Sequence, residues 1–140
     1  MASIDEVLNC FEELNHVVLA TVDGDKPKLR PMTLVKHDSV FYFATGSEAT
    51  KVKQLDQNPE VEIILQWKDV SNNGYIRIEG TAMRENARET ITQLYNRFDY
   101  FGKLWESPDD PTLIVYTVAP RIFDYMKPGE WASVQIITGN

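Results

Sequence analysis

Residues 17–45 decide the fold: Val17-Val18-Leu19-Ala20-Thr21-Val22, then Asp23-Gly24-Asp25-Lys26-Pro27, then Lys28 to Lys36, then His37-Asp38-Ser39, then Val40-Phe41-Tyr42-Phe43-Ala44-Thr45. The first and last runs are β-branched, aromatic and apolar, which is strand chemistry. Between the first two runs lies a turn in which Gly24 is free to take positive φ. Three strands joined by tight connections make an antiparallel meander.

Working outward, Ser3-Ile4-Asp5-Glu6 has the form of a capping box, and Val7, Leu8, Phe11 and Leu14 follow at helical spacing, so a helix is expected from Ile4 to Leu14. After the meander, Gly46-Ser47 is read as opening a helix with Val52 and Leu55 on its apolar side, ending near Asn58-Pro59 because the residue before proline disfavours helix. Val61 to Trp67 reads as a fourth strand, Asp69 to Gly74 as a polar loop and Tyr75 to Ala82 as a fifth strand. Asn86 to Phe98 reads as a helix, Phe101 to Pro111 as a loop holding Trp105, and Leu113–Val118 and Arg121–Met126 as strands broken at Ala119-Pro120. Six or seven short strands with three inserted helices make a mainly β protein, expected to form a closed or nearly closed barrel in a single domain over residues 1–140.

Composition narrows the function classes. Hydrophobic residues at 43% and charged residues at 25% are globular values and exclude a disordered chain. The single cysteine, Cys10, cannot form an internal disulfide, which fits a reducing cytosol; on a helix with no base beside it in sequence, it reads as a passive thiol. No run approaches the ~20 apolar residues of a membrane span. The acidic start, Met1 to Glu6, lacks a signal peptide's basic and apolar pattern, so the expectation is a cytoplasmic protein with no membrane contact. A formal net charge of −7 argues against nucleic acid as partner. Residues 26 to 53, however, carry six cations against Asp38 and Glu48, so they are +4 where the rest is −11. A cationic segment in an acidic chain suits either a small anionic ligand or a solvated strand face.

Three pieces carry chemistry. In Arg30-Pro31-Met32-Thr33 a proline sits inside a strand, which places that strand at an edge or bulge and leaves backbone groups free for a ligand or another chain. In Ala44-Thr45-Gly46-Ser47-Glu48-Ala49-Thr50-Lys51 a strand ends, a turn follows and a helix begins. A helix N-terminus offers unpaired N–H donors and a positive dipole end to a phosphate; Ser47 and Thr50 add hydroxyls, and Lys51 a charge. Ser47 equally suits a plain N-cap. Third, Trp67, Trp105 and Trp131, with Tyr42 and Tyr75, supply flat apolar rings that suit either a core or the face of a planar cofactor. His16 and His37 lack metal-ligand spacing, no metal site is expected, and no acid/base pair stands out, so catalytic residues stay unassigned. Redox chemistry remains open to such a chain when a cofactor supplies it.

These pieces, in this order, resemble the pyridoxamine 5'-phosphate oxidase-related, FMN-binding split-barrel family. The matching run is Val18 to Gly24, Arg30-Pro31-Met32, Phe41 to Thr45, Lys51 to Leu55, Asn58-Pro59-Glu60-Val61 and Tyr75 to Ala82, within residues 4 to 126; it looks nearest to the short general-stress-protein-like members. The resemblance implies a six-stranded antiparallel split barrel that pairs as a homodimer, binds FMN and acts as an oxidoreductase on a small molecule. It implies further that Arg30 and Lys51 bind the FMN phosphate with Ser47 and Thr50 as partners. The backbone of Pro31, Met32 and Thr33 would run past the flavin ring, with Ala44 and Thr45 near the ring or ribityl chain. Trp67, Tyr75 or Trp131 would come from the second subunit. Two departures stand out: Phe123 to Trp131 lacks the oxidases' arginine and histidine signature, which argues against vitamin B6 oxidation, and Thr50 replaces one of two adjacent cations, which would weaken FMN affinity. The alternative is a non-catalytic flavin-, F420- or haem-binding stress-related module.

Overall fold

The structure, a computed structural model, describes residues 2–69 and 72–138. The meander appears as β1 (Leu14–Asp23), β2 (Lys26–His37) and β3 (Val40–Gly46). Both connections are two-residue hairpins. Gly24 takes φ 64° between the paired Asp23 and Lys26, and Asp38 and Ser39 take φ 52° and 63° between His37 and Val40. Positive φ at such turns matches the right-handed twist of the flanking strands.

β4 (Glu60–Asp69), β5 (Asn72–Arg84) and β6 (Leu113–Met126) complete the ring. The strand order is β3-β2-β1-β4-β5-β6, and β6 returns to β3, so the six strands close on themselves as an antiparallel barrel. A further strand, β7 (Val134–Ile137), pairs with the far half of β6 beyond the reach of β3. The expected break at Ala119-Pro120 is instead a bulge inside one continuous strand: Glu79 faces Ile122 while Gly80 faces Pro120, leaving Arg121 as the extra residue. Gly80 is required there, because any Cβ would run into the Ala119 carbonyl. The expected loop from Asp69 to Gly74 is also mostly strand, with only Val70 and Ser71 outside the described residues.

Four helices dress the barrel: α1 (Ile4–Asn9), α2 (Thr50–Gln57), α3 (Arg88–Arg97) and α4 (Asp99–Leu104). Ser3 caps α1 as expected, accepting from the Glu6 N–H. The helix nonetheless stops well short of Leu14. Asn15, 6% exposed, accepts from the Glu12 N–H and donates to the Glu12 and Leu34 carbonyls, turning the chain into β1. α4 occupies part of what the sequence presents as a loop, and Trp105 is buried at its end.

The barrel interior is filled by alternating residues such as Leu19, Leu34, Ile63, Ile76, Ile78 and Phe123, and Val7 and Phe11 join that cluster from the N-terminal segment. A second cluster lies on the outside, where Tyr42, Ala44 and Val35 meet Leu94, Phe98, Phe101 and Trp105. Thus β3 is buried on both faces from Phe41 to Thr45, which explains its unbroken apolar run.

Candidate functional site

The barrel parts between β2 and β3. These strands pair only from Val35↔Tyr42 to His37↔Val40. Beyond that point β3 pairs with β6, and residues 26–34 of β2 pair with β1 alone. Pro31, which has no N–H to give, lies on this open edge, as its position in a strand demands.

A cavity of about 460 Å³ occupies the parting. Pro31, Met32 and Thr33 line it from β2, and Ala44, Thr45 and Gly46 from β3. His16 and Val17 reach it from β1, Lys51 from α2, and Tyr100, Leu104 and Trp105 from α4 and its end. The mouth is aromatic and apolar where α4 covers it, and cationic where α2 begins. Burial raises the Tyr100 hydroxyl's pKa above its ordinary value, with a smaller opposing effect from the Thr33 hydroxyl. A wider groove of about 730 Å³ adjoins it and shares Tyr100 and Leu104.

The cationic end is the most distinctive feature: Lys51 lines the cavity, and Arg30 lies beyond its lining. The Lys51 ammonium donates to Thr45 Oγ1 at 2.8 Å. The Arg30 guanidinium donates to Thr21 Oγ1 at 2.7 Å, to Gln54 Oε1 at 3.0 Å and to the Leu19 carbonyl at 3.4 Å. All these acceptors are neutral. Among the described residues Arg77, Arg84, Arg88, Arg97 and Arg121 each pair with a carboxylate, and Arg30 is the arginine that does not. Burial lowers the pKa of Lys51, and the nearby charge of Arg30 lowers it further; burial also lowers that of Arg30. Two partly desolvated cations that feel each other's charge and have no carboxylate partner are electrostatically suited to an anion.

The surrounding turn differs from its expected form. α2 begins at Thr50 with Ala49 as N-cap and no side-chain cap, so Ser47 neither opens nor caps the helix. The Ser47 N–H is bound to the Thr112 carbonyl at 2.9 Å, and Thr50, in the first turn, is exposed.

The aromatic set divides. Trp105 lines the cavity, and Tyr42 is core. Trp67 packs near Tyr125, Tyr75 lies opposite Met126 on β5, and Trp131 is 97% exposed; within one chain none of the three lines the cavity. Residues not picked out from the sequence include Tyr100 and Leu104, which came with the unforeseen α4, and His16, which enters through its register opposite Thr33. Among the described residues no group of His, Cys, Asp and Glu could hold a metal ion, and no helix is long and apolar enough to cross a membrane.

Residues 3–125 match the family model described as Pyridoxamine 5'-phosphate oxidase. Among curated proteins, the chain is 27% identical over 132 residues to General stress protein 26 of Bacillus subtilis (strain 168), covering 94% of this chain and 93% of that protein. It is 34% identical over 102 residues to the pyridoxine/pyridoxamine 5'-phosphate oxidase of Salinibacter ruber, covering 70% of this chain but only 46% of that protein. Among solved structures, a NimC/NimA family protein from Clostridium acetobutylicum superposes with a TM-score of 0.78 at 21% identity, covering 95% of this chain and 90% of that one, a likeness of fold.

Proposed function

Since the chain belongs to the pyridoxamine 5'-phosphate oxidase family, we propose that it is an FMN-binding flavoprotein acting as an oxidoreductase on a small molecule. The observation that carries this reading is the Lys51 ammonium at one end of a cavity whose other end is aromatic, with Arg30, which also lacks a carboxylate partner, held outside the lining to the same helix through Gln54. A phosphate suits the first, and a flat ring suits the second.

Arg30 and Lys51 would hold the phosphate, with Thr50 and Ser47 beside them. The unpaired edge of β2 at Pro31, Met32 and Thr33 would run along the ring, and Ala44 and Thr45 would form the facing wall. The bound flavin supplies hydride or electron transfer; the chain supplies grip, orientation and exclusion of water. A substrate would reach the ring through the adjoining groove past Tyr100 and Leu104.

We also propose a homodimer. Val18, Ala20, Leu29 and Ile64, together with the Glu62–Arg77 ion pair, line a groove of about 360 Å³ on the outside of the barrel, and Leu29 is 71% exposed. A second copy there would cover this face and would account for Trp67, Tyr75 and Trp131 standing away from their own chain's cavity. The free thiol of Cys10 supports a cytoplasmic setting. Vitamin B6 phosphate is not the substrate we favour, because Phe123–Trp131 holds no arginine or histidine.

Mass spectrometry, native and then denaturing, tests the reading. Two chains releasing FMN support it; a colourless chain that takes up no added FMN refutes it. The non-catalytic alternative has one observation behind it: the lining titratable groups are only His16, Lys51 and Tyr100, with no acid/base pair. Stopped-flow mixing with NADH or NADPH separates the two, since a flavin that is never reduced favours the passive module.

A further inference from the structure

Arg30 is held by oxygens that orient it without neutralising it. Its Nη1 donates to Thr21 Oγ1 at 2.7 Å and its Nη2 to Gln54 Oε1 at 3.0 Å. The Thr21 hydroxyl donates in turn to Gln54 Oε1 at 2.5 Å, closing a three-member ring of hydrogen bonds. Guanidinium has only donors, so the amide must present its oxygen, and the single hydroxyl proton of Thr21 must go to that same oxygen. The ring therefore has one arrangement. Thr21 is 1% exposed, which fixes it in the barrel wall. Gln54 stands three residues after Lys51 on α2, so both lie on one side of the helix. The ring thereby ties the helix carrying one cation to the strand carrying the other, against their mutual repulsion.

The residue type at 54 matters. A glutamate would reach the same two donors and hold Arg30 more strongly, but it would cancel the charge. Glutamine keeps the fork aimed and leaves the site at two positive charges, the complement of a dianion.

We propose that Gln54 and Thr21 are positioning residues, forming a neutral-oxygen clamp that aims Arg30 at a phosphate dianion and preserves its charge. The proposal rests on the reading of Arg30 and Lys51 as the FMN phosphate site.

Gln54→Glu tests it, with flavin fluorescence titrations of the full chain using FMN and using riboflavin, which lacks the phosphate, and a thermal midpoint without ligand. Wild type should prefer FMN over riboflavin by at least about tenfold. Gln54→Glu should weaken FMN by about tenfold, leave riboflavin unchanged, and leave the ligand-free midpoint equal or higher, because the new carboxylate pairs with Arg30. A merely structural residue would not separate the two ligands in this way. If that variant does not fold, Thr21→Val serves instead and should weaken FMN several-fold but not riboflavin. The clamp is overturned if the folded variant binds FMN as tightly as wild type, or if both ligands weaken equally. A wild type that does not distinguish FMN from riboflavin overturns the phosphate reading itself, and the clamp with it.

Discussion

Along the β5–β6 seam ten residue pairs run from Tyr75↔Met126 to Arg84↔Tyr116, while at the β2–β3 parting only three survive. The seam's central arginine, Arg77, lies between Asp124 and Glu62, donating to Asp124 Oδ2 through Nε and Nη2 at 3.1 and 2.5 Å and to Glu62 at 3.0 Å. At the parting Arg30 and Lys51 meet only hydroxyl, amide and carbonyl oxygens. Charge is thus compensated where the barrel is closed and left open where it is split. An uncompensated, partly buried cation is a cost to folding, and it persists most readily where a ligand's charge offsets it.

The largest effect should come from breaking the seam. Gly80→Ala forces a Cβ into the Ala119 carbonyl at the bulge and should cost about 3 kcal/mol in urea unfolding. Next, Asp124→Ala removes an acceptor that is 5% exposed and should cost about 2–3 kcal/mol. Burial pushes the Asp124 carboxyl up, but the neighbouring Ser133 side chain and the hydrogen bonds and charge of Arg77 outweigh it, leaving it below its ordinary 3.8. A depressed acid contributes stability that is present above its unfolded value and lost as pH falls through the folded one. The gap between wild type and Asp124→Ala should therefore hold at neutral pH and narrow on the acid side of 3.8.

At the parting the sign reverses. Lys51→Ala should leave ligand-free stability unchanged or slightly higher, since repulsion from Arg30 is relieved. It should weaken FMN ten- to a hundredfold, about 1.5–3 kcal/mol, by titration. Because Lys51 titrates below its ordinary 10.5, wild-type affinity should begin to fall on the alkaline side before that value, and the variant should lose this dependence. The smallest effect belongs to Lys28→Ala. Lys28 is exposed on β2 outside the cavity, so both stability and affinity should move by less than about 0.5 kcal/mol. A large effect there would mean that the whole cationic segment, not a chosen pair, attracts the ligand.

Much of this was legible in the residues, and the gaps have physical causes. Runs of β-branched, aromatic and apolar residues and turn chemistry located β1 to β5, and Pro31 in a strand announced an edge or a bulge. The charge asymmetry of residues 26–53 suited an anionic ligand or a solvated strand face alike, and sequence alone did not choose between them. Register was not visible: nothing in the sequence says that His16 would face Thr33, or that Gln54 would reach Thr21 across the α2–β1 contact. Helix ends were misplaced where a tertiary bond overrode local signals, as Asn15 does after α1. Ser47 looked like a cap, but the Thr112 carbonyl holds its N–H and the helix starts three residues later. α4, with Gly102 inside only six residues, gave no periodic signal, and with it went Tyr100 and Leu104.

The most direct test is a crystal structure of the chain grown with FMN. The account predicts the phosphate in the β2–β3 parting, within hydrogen-bond reach of both the Lys51 ammonium and the Arg30 guanidinium, with Gln54 and Thr21 still bound to Arg30. A phosphate seated elsewhere, or Arg30 swung away to a carboxylate while Lys51 stays bonded to Thr45, would contradict it.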